Sequence, residues 1–199
     1  MEGLFPYGSV DLTSDDSKFK INTILIEILN ELKEDGLIEN LGVSVYAPFR
    51  ALQALNSSLF NMVQVPSNIL DRRFEKAGVF NIGSKLQKTV YIRSVFLQGL
   101  LLIESGNLPE RLLYAKSQIK KLETITKELD MQPQELALGY LKIAYPDSYI
   151  LFGAEEPMQV KENLYMWKRK ISQEIVTIIR EAFQDVDINI LNVRLWPKK

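Results

Sequence analysis

The sequence predicts an α/β protein built on a parallel sheet, and three observations carry that prediction. Four short β-rich runs alternate with stretches of helical periodicity. Several of those runs are apolar almost throughout, the pattern of strands covered on both faces. Prolines stand where helices would begin, a position that tolerates the missing N–H. Strands separated by helical crossovers lie parallel. Four such units amount to half of an eight-stranded (β/α)8 barrel, and an open four-stranded sheet would carry the same signature.

The first 17 residues are rich in Gly, Pro, Ser, Asp and Thr and read as a flexible leader to a domain over residues 18–199. Ile21, Ile24, Leu25, Ile28, Leu29 and Leu32 then fall on one helical face, and Gly36 suits a left-handed cap. Leu41–Pro48 is the first β-rich run, followed by a short helix with Phe49, Leu52 and Leu55 inward. Leu59–Asn68 is the second, closed by Pro66 and Ser67-Asn68, and the segment Leu70–Leu86 reads as a helix broken near Gly78. Thr89–Phe96 is the third. Two helices follow, one from Pro109 to about Leu129 and one from Pro133. Ser148–Ala154 is the fourth strand, leading into helices over Pro157–Met166 and from Ile171 to Phe183, before the tail INILNVRLWPKK.

Composition narrows the function. A formal net charge of −1 gives no basic footprint for nucleic acid. There are no cysteines, so no disulfides or thiolate ligands form, which fits a cytoplasmic setting. There are also no histidines, which removes the commonest general acid/base and metal ligand. No metal site is expected. The most apolar stretch, Val90–Ile103, is interrupted by Arg93, Ser94, Gln98 and Gly99 and is too short to span a bilayer. Neither a Rossmann nor a Walker glycine pattern is present. Trp167 and Trp196 read as packing residues, and Lys168-Arg169-Lys170 as a solvated turn.

Four segments resemble the aldo-keto reductase family in the family's own order: LKEDGLIENLGVSVYAP at the fifth barrel strand, VQVPSNILDRR at the sixth, VYIRSVFLQGLLL at the seventh, and YILFGAEEPMQVKENL at the eighth with its helix. The resemblance runs from about Leu25 to the C-terminus. It implies the C-terminal half of a (β/α)8 TIM barrel, an NADPH or NADH cofactor, and a site at the C-terminal ends of the strands. It also implies hydride transfer to a carbonyl, with a Tyr, Lys, His and Asp tetrad that the family places in the first half of its barrel. No residue here matches that tetrad, so no catalytic residue is assigned and a truncated chain, inactive alone, is expected.

The cofactor side is carried over residue by residue. Ser44 and Gln64 match the positions that hold the nicotinamide amide, while the family's Asn beside the Ser is Val45 here. Arg93 stands where many members place an aromatic that stacks on the nicotinamide. Ser94, Phe96, Gln98 and Gly99 match the loop that passes the pyrophosphate. Gly153, Ala154 and Gln159 replace the basic residues that hold a 2′-phosphate, so the resemblance argues against NADPH preference. Glu162 and Asn163 match a pair near the adenine. The partners implied are the nicotinamide cofactor and either a separate N-terminal half or a second copy, with no nucleic acid and no membrane. The alternative function is a non-catalytic binding or regulatory module, a half barrel that self-associates.

Overall fold

The computed structural model describes residues 23–198, so the expected leader over residues 1–17 lies outside the described residues. Two compact units divide the chain, Met1–Leu41 and Gly42–Lys199. In the first, α1 spans Thr23–Glu34. It stops where expected: Gly36 takes φ 72°, and Leu37 and Ile38 donate back to the Leu32 carbonyl at 3.0 and 3.2 Å. The single apolar face is only partly realised, since Leu29 is buried but Ile28 stays 45% exposed.

The second unit is the sheet and its helices. Its strands are β1 (Gly42–Ser44), β2 (Met62–Pro66), β3 (Thr89–Arg93) and β4 (Tyr149–Ile150), all parallel and ordered β1-β2-β3-β4. Consecutive order without a reversal is the order of barrel strands, whereas doubly wound sheets reverse at a switch point. α2 (Pro48–Asn56) packs on β2, and α4 (Val79–Lys85) packs on β3. Val63, Val65, Val90 and Ile92 therefore disappear beneath helices, while Met62, Gln64, Thr89, Tyr91 and Arg93 alternate onto the other face and stay half-exposed. The expectation of strands covered on both faces holds for one face only, the side on which α2 and α4 pack.

Gly78, at φ 78°, splits the segment after β2 as expected, into α3 (Arg73–Lys76) and α4. Within α4, a Cβ on Gly83 would lie 2.6 Å from Val90 Cγ2. The missing side chain is what lets this helix settle on β3. Inward residues of α2 are Arg50, Ala51, Ala54 and Leu55. Of the expected trio only Leu55 is fully buried, with Phe49 and Leu52 half-buried.

The helix expected from Pro109 begins as a 3-10 segment, Glu110–Ala115, and turns α only in α5 (Lys116–Glu128). A tight first turn is favoured here because Leu112 N–H reaches the Pro109 carbonyl at 2.8 Å. α6 (Pro133–Ala144) is the central helix of the core, buried from Glu135 through Leu141. Its Gly139 accommodates Ile171, whose Cδ1 would lie 1.7 Å from an added Cβ. α7 (Pro157–Lys168) rests on α6, with the Lys142 ammonium donating to the Trp167 carbonyl at 2.7 Å. α8 (Glu174–Ala182) starts three residues later than its apolar pattern, after Ser172 Oγ accepts from Glu174 N–H at 3.2 Å. Arg180 of α8 pairs with Glu75 of α3, and Glu75 also receives Arg72 at 2.7 Å. The tail forms a turn of helix, α9 (Ile188–Leu191), then a 3-10 turn, Val193–Leu195. Trp196 anchors it, buried, with its indole N–H on the Ile190 carbonyl at 3.1 Å.

The turn after β2 is fastened by Asn68, which is fully buried. Its Oδ1 accepts from Leu70 N–H at 2.9 Å and Asp71 N–H at 3.0 Å, and its Nδ2 donates to the Ser94 carbonyl beyond β3 at 3.1 Å. Asp71, equally buried, is held by the Arg73 guanidinium through two bonds of 2.8 and 2.7 Å.

Two stability outcomes follow. Gly83→Ala gains about 1 kcal/mol of helix propensity but overpacks Val90 at about 1–3 kcal/mol, so a net loss of about 1 kcal/mol is expected in urea melts. Adding Val90→Ala should then cost less than it does in the parent, and strict additivity of the two changes would refute the clash. Asn68→Ala strands two buried N–H donors and should cost about 2–4 kcal/mol; a loss under about 0.5 kcal/mol in the same melts would show that the turn does not depend on this side chain.

Candidate functional site

The C-terminal ends of β1, β2 and β3 bring four of the expected residues together. Ser44 and Gln64 lie directly opposite in the β1–β2 register, so their side chains share the open face. The Ser44 hydroxyl donates to Gln64 Oε1 at 3.1 Å. That bond leaves both Nε2–H donors of Gln64 and the lone pairs of Ser44 Oγ facing outward. A shallow groove of about 340 Å³ runs along this face, with Ser44, Gln64, Met62, Tyr91 and Leu151 among its walls. Val45, next to Ser44 in the chain, is buried and brings no polar side chain to this face.

Arg93 ends β3 on the same face. Its guanidinium carbon lies 4.1 Å from the centroid of the Tyr46 ring. One nitrogen donates to Ser94 Oγ at 3.2 Å and another to the Val45 carbonyl at 3.4 Å, so the side chain reaches across β2 to the end of β1. Arg194, from the C-terminal tail, lies over the same ring at 5.0 Å. Tyr46 and Arg194 were not among the residues expected from the sequence. Their meeting is a contact between distant parts of the chain, which no local pattern signals.

The loop after β3 is unusual in its backbone. Ser94 (φ 61°), Leu97 (48°), Gln98 (52°) and Gly99 (82°) all lie in the left-handed region. Only Gly occupies it without steric cost; each of the others costs about 1–2 kcal/mol. The strain is held by burial of Val95 and Leu97 and by the Asn68 bond to the Ser94 carbonyl. Phe96 is half-buried and Gln98 exposed, so the loop presents a polar edge above β3.

The remaining expected residues form a second group at the β4–α7 junction. Gly153 and Ala154 are exposed in the connecting loop, and a side chain at Gly153 would meet nothing within 4 Å. Gln159 is committed to the loop, its Oε1 accepting from Glu155 N–H at 2.8 Å. Glu162 is exposed and Asn163 is the buried residue of α7. No cation stands among Gly153–Gln159, and Glu155 and Glu156 add negative charge there.

Tyr140 and Tyr145 are both weaker acids than a free phenol, Tyr145 the more so. Burial pushes both phenols up, and their hydroxyls lie 3.3 Å apart within the helix-covered core. Phe80 stacks on Tyr145 at 3.9 Å. They are packed as core residues, away from the open face. Among the described residues no cluster of carboxylates could hold a metal ion, and no helix is long and apolar enough to cross a membrane.

Comparison with known proteins agrees with this fold. The family model described as "Aldo/keto reductase family" matches residues 11–184. Among solved structures, an aldo-keto reductase from Bacillus halodurans superimposes in its apo form with a TM-score of 0.65 at 26% identity, over 84% of this chain and 59% of that one. Its holo form gives 0.63 at 28% identity, over 79% and 54%. A thermostable aldo-keto reductase in complex with the inhibitor epalrestat shares the fold, with a TM-score of 0.59 at 24% identity, over 79% of this chain and 53% of that one. The chain thus spans less than two thirds of the length of these structures, and no curated protein matches it in sequence. With four consecutive parallel strands and a family match over residues 11–184, the chain belongs to the aldo/keto reductase family.

Proposed function

We propose that this chain forms the nicotinamide-cofactor side of an NADH-dependent carbonyl reductase. The observation that carries the reading is the Ser44–Gln64 pair. Its free amide donors and hydroxyl lone pairs complement the carbonyl and NH2 of a carboxamide, so the residues present fit the cofactor's reactive end. When bound, the cofactor supplies hydride to a carbonyl carbon. The chain's own part is to fix the carboxamide through Ser44 and Gln64, with Arg93 beside it and the Ser94–Gly99 loop, Phe96 and Gln98 included, along the pyrophosphate. At the adenine end, Glu162 and Asn163 remain, while Gly153, Ala154 and Gln159 give a 2′-phosphate no charge-assisted partner.

The reading assigns no proton donor to these residues. The sequence holds no His, and Tyr140 and Tyr145 are committed to the core. Turnover therefore requires the missing groups from elsewhere, and the chain alone is inactive. A second reading, in which it pairs with a separate N-terminal half or a second copy, is favoured by exposed apolar side chains at the β4–α7 edge: Tyr149, Leu151, Met158, Leu164 and Tyr165. A non-catalytic, self-associating module would present the same edge. The cytoplasm, where NADH is at hand, is the compartment this reading implies.

Titration of the purified chain with NADH and NADPH, followed by nucleotide fluorescence, tests the reading. Saturable NADH binding is expected, with NADPH weaker by about tenfold or more. Gln64→Leu should weaken NADH about five- to tenfold. Absence of any saturable binding, or indifference to the Gln64 change, would sink the assignment. Sedimentation of the same samples reports on pairing, where a monomer at all concentrations would exclude the self-associating module. No oxidation of NADH is expected when a simple aldehyde is added to the chain alone.

A further inference from the structure

The loop after β3 is a series of tight turns anchored at both ends, and its far anchor has no part in the cofactor reading. Leu97 N–H reaches the Ser94 carbonyl at 3.0 Å, Leu100 N–H the Leu97 carbonyl at 3.1 Å, Leu102 N–H the Gly99 carbonyl at 2.9 Å and Ile103 N–H the Leu100 carbonyl at 3.4 Å. Each turn shares residues with the next, so a shift at one end passes along the series. Ser94, Leu97, Gln98 and Gly99 within it hold a left-handed φ. Such strain persists only where the surroundings over-determine the backbone. At the near end the Asn68 amide holds the Ser94 carbonyl at 3.1 Å. The turns stop at Ile103, and two residues on Ser105 is taken by α5. Its N–H donates to Glu123 Oε1 at 2.5 Å and its hydroxyl to Glu123 Oε2 at 2.7 Å. Both oxygens of one carboxylate thus act on one residue, which fixes the chain's direction there as well as its position. These bonds hold the Glu123 carboxyl below the usual glutamate range, so the clamp is charged at neutral pH. Ile119, Leu122 and Ile125 seat α5 on the core, so the carboxylate is mounted on a fixed element. Glu104, Gly106 and Asn107 on either side of Ser105 are exposed, so apolar burial does not fix this point of the loop.

We infer that Glu123 is a positioning residue for the cofactor loop: by clamping Ser105 it keeps the strained Ser94–Gly99 backbone in the form that receives the pyrophosphate. It acts through Ser105 and the turn series, without contact with the nucleotide. Charge-assisted bonds of this kind are about twice as strong as neutral ones, which suits an anchor working against strain. Without the clamp the left-handed residues are tethered at one end only and relax toward ordinary φ. Part of the binding free energy then goes into re-forming the loop, and affinity falls by that share. That the loop receives a pyrophosphate rests on the cofactor reading above. That Glu123 holds the loop does not.

The test uses the full chain, with NADH titrations followed by nucleotide fluorescence and amide hydrogen exchange measured on the same samples without nucleotide. Glu123→Met keeps the packing of the side chain but accepts no hydrogen bond, whereas Glu123→Gln keeps one acceptor for Ser105 N–H. Glu123→Met should weaken NADH about fivefold. It should also speed exchange at Leu97, Leu100, Leu102 and Ile103 while the amides of β2 and β3 keep their protection. Glu123→Gln should recover part of both, a rescue that a packing role would not distinguish from Glu123→Met. Adding Ser105→Ala to Glu123→Met should weaken NADH no further, because the hydroxyl has already lost its partner. The Glu123 side chain is half-exposed on α5, so none of these changes threatens the fold. Unchanged exchange in Glu123→Met overturns the clamp. Faster exchange with unchanged NADH affinity overturns the positioning role. No saturable NADH binding by the parent chain removes the cofactor reading and the positioning role with it, and the exchange comparison then still decides whether Glu123 holds the loop.

Discussion

Parallel strands need cover, because their crossovers bring helices onto the sheet and their apolar residues must leave water. In this chain the strands follow one another across the sheet without reversal, so α2 and α4 come to the same side and bury Val63, Val65, Val90 and Ile92. Everything polar and chemically useful on β1–β3 is thereby confined to the opposite face, at positions two residues apart. Ser44, Gln64 and Arg93 are on that face for the same reason that the three valines and the isoleucine are not. One geometric constraint divides each strand into a structural half and a candidate functional half.

The face is supported from behind by groups that touch no ligand site directly. Asn68 ties the turn after β2 to the carbonyl of Ser94, and so links the strained loop after β3 to a buried anchor. Arg93 departs from the aromatic that many family members carry. Its place is taken by a cation reaching to Tyr46, so an aromatic ring is retained nearby but on a different strand end. The neighbourhood keeps a flat surface and gains positive charge.

Much of the fold was legible in the sequence because its cues are local. Proline at the starts of α2, α6 and α7, and Gly36 and Gly78 at breaks, act over a few residues, and the structure bears them out. The half-covered sheet was harder to foresee. Val63, Val65, Val90 and Ile92 look the same in sequence whether one face or both are buried. The tail helix α9 spans too few residues to show a period. The candidate site was legible in part, through residues in strand motifs such as Ser44 and Gln64. Arg194 and Tyr46 could not be found that way, since only folding brings them together. Asn68 looked like an ordinary turn residue, and its bond to Ser94 is visible only in three dimensions.

The way α7 is attached has a consequence for how the molecule opens. Only Asn163 of that helix is buried, and α6 is its chief support. Helices held so lightly exchange their amide hydrogens through local opening, at a free energy well below that of global unfolding. α6 beneath it is buried along seven consecutive residues and belongs to the slowest-exchanging part of the chain. The helix that carries Glu162 and Asn163 can therefore loosen while the Ser44–Gln64 end of the sheet stays formed, and under the proposed cofactor reading this separates grip on one end of an extended ligand from release of the other.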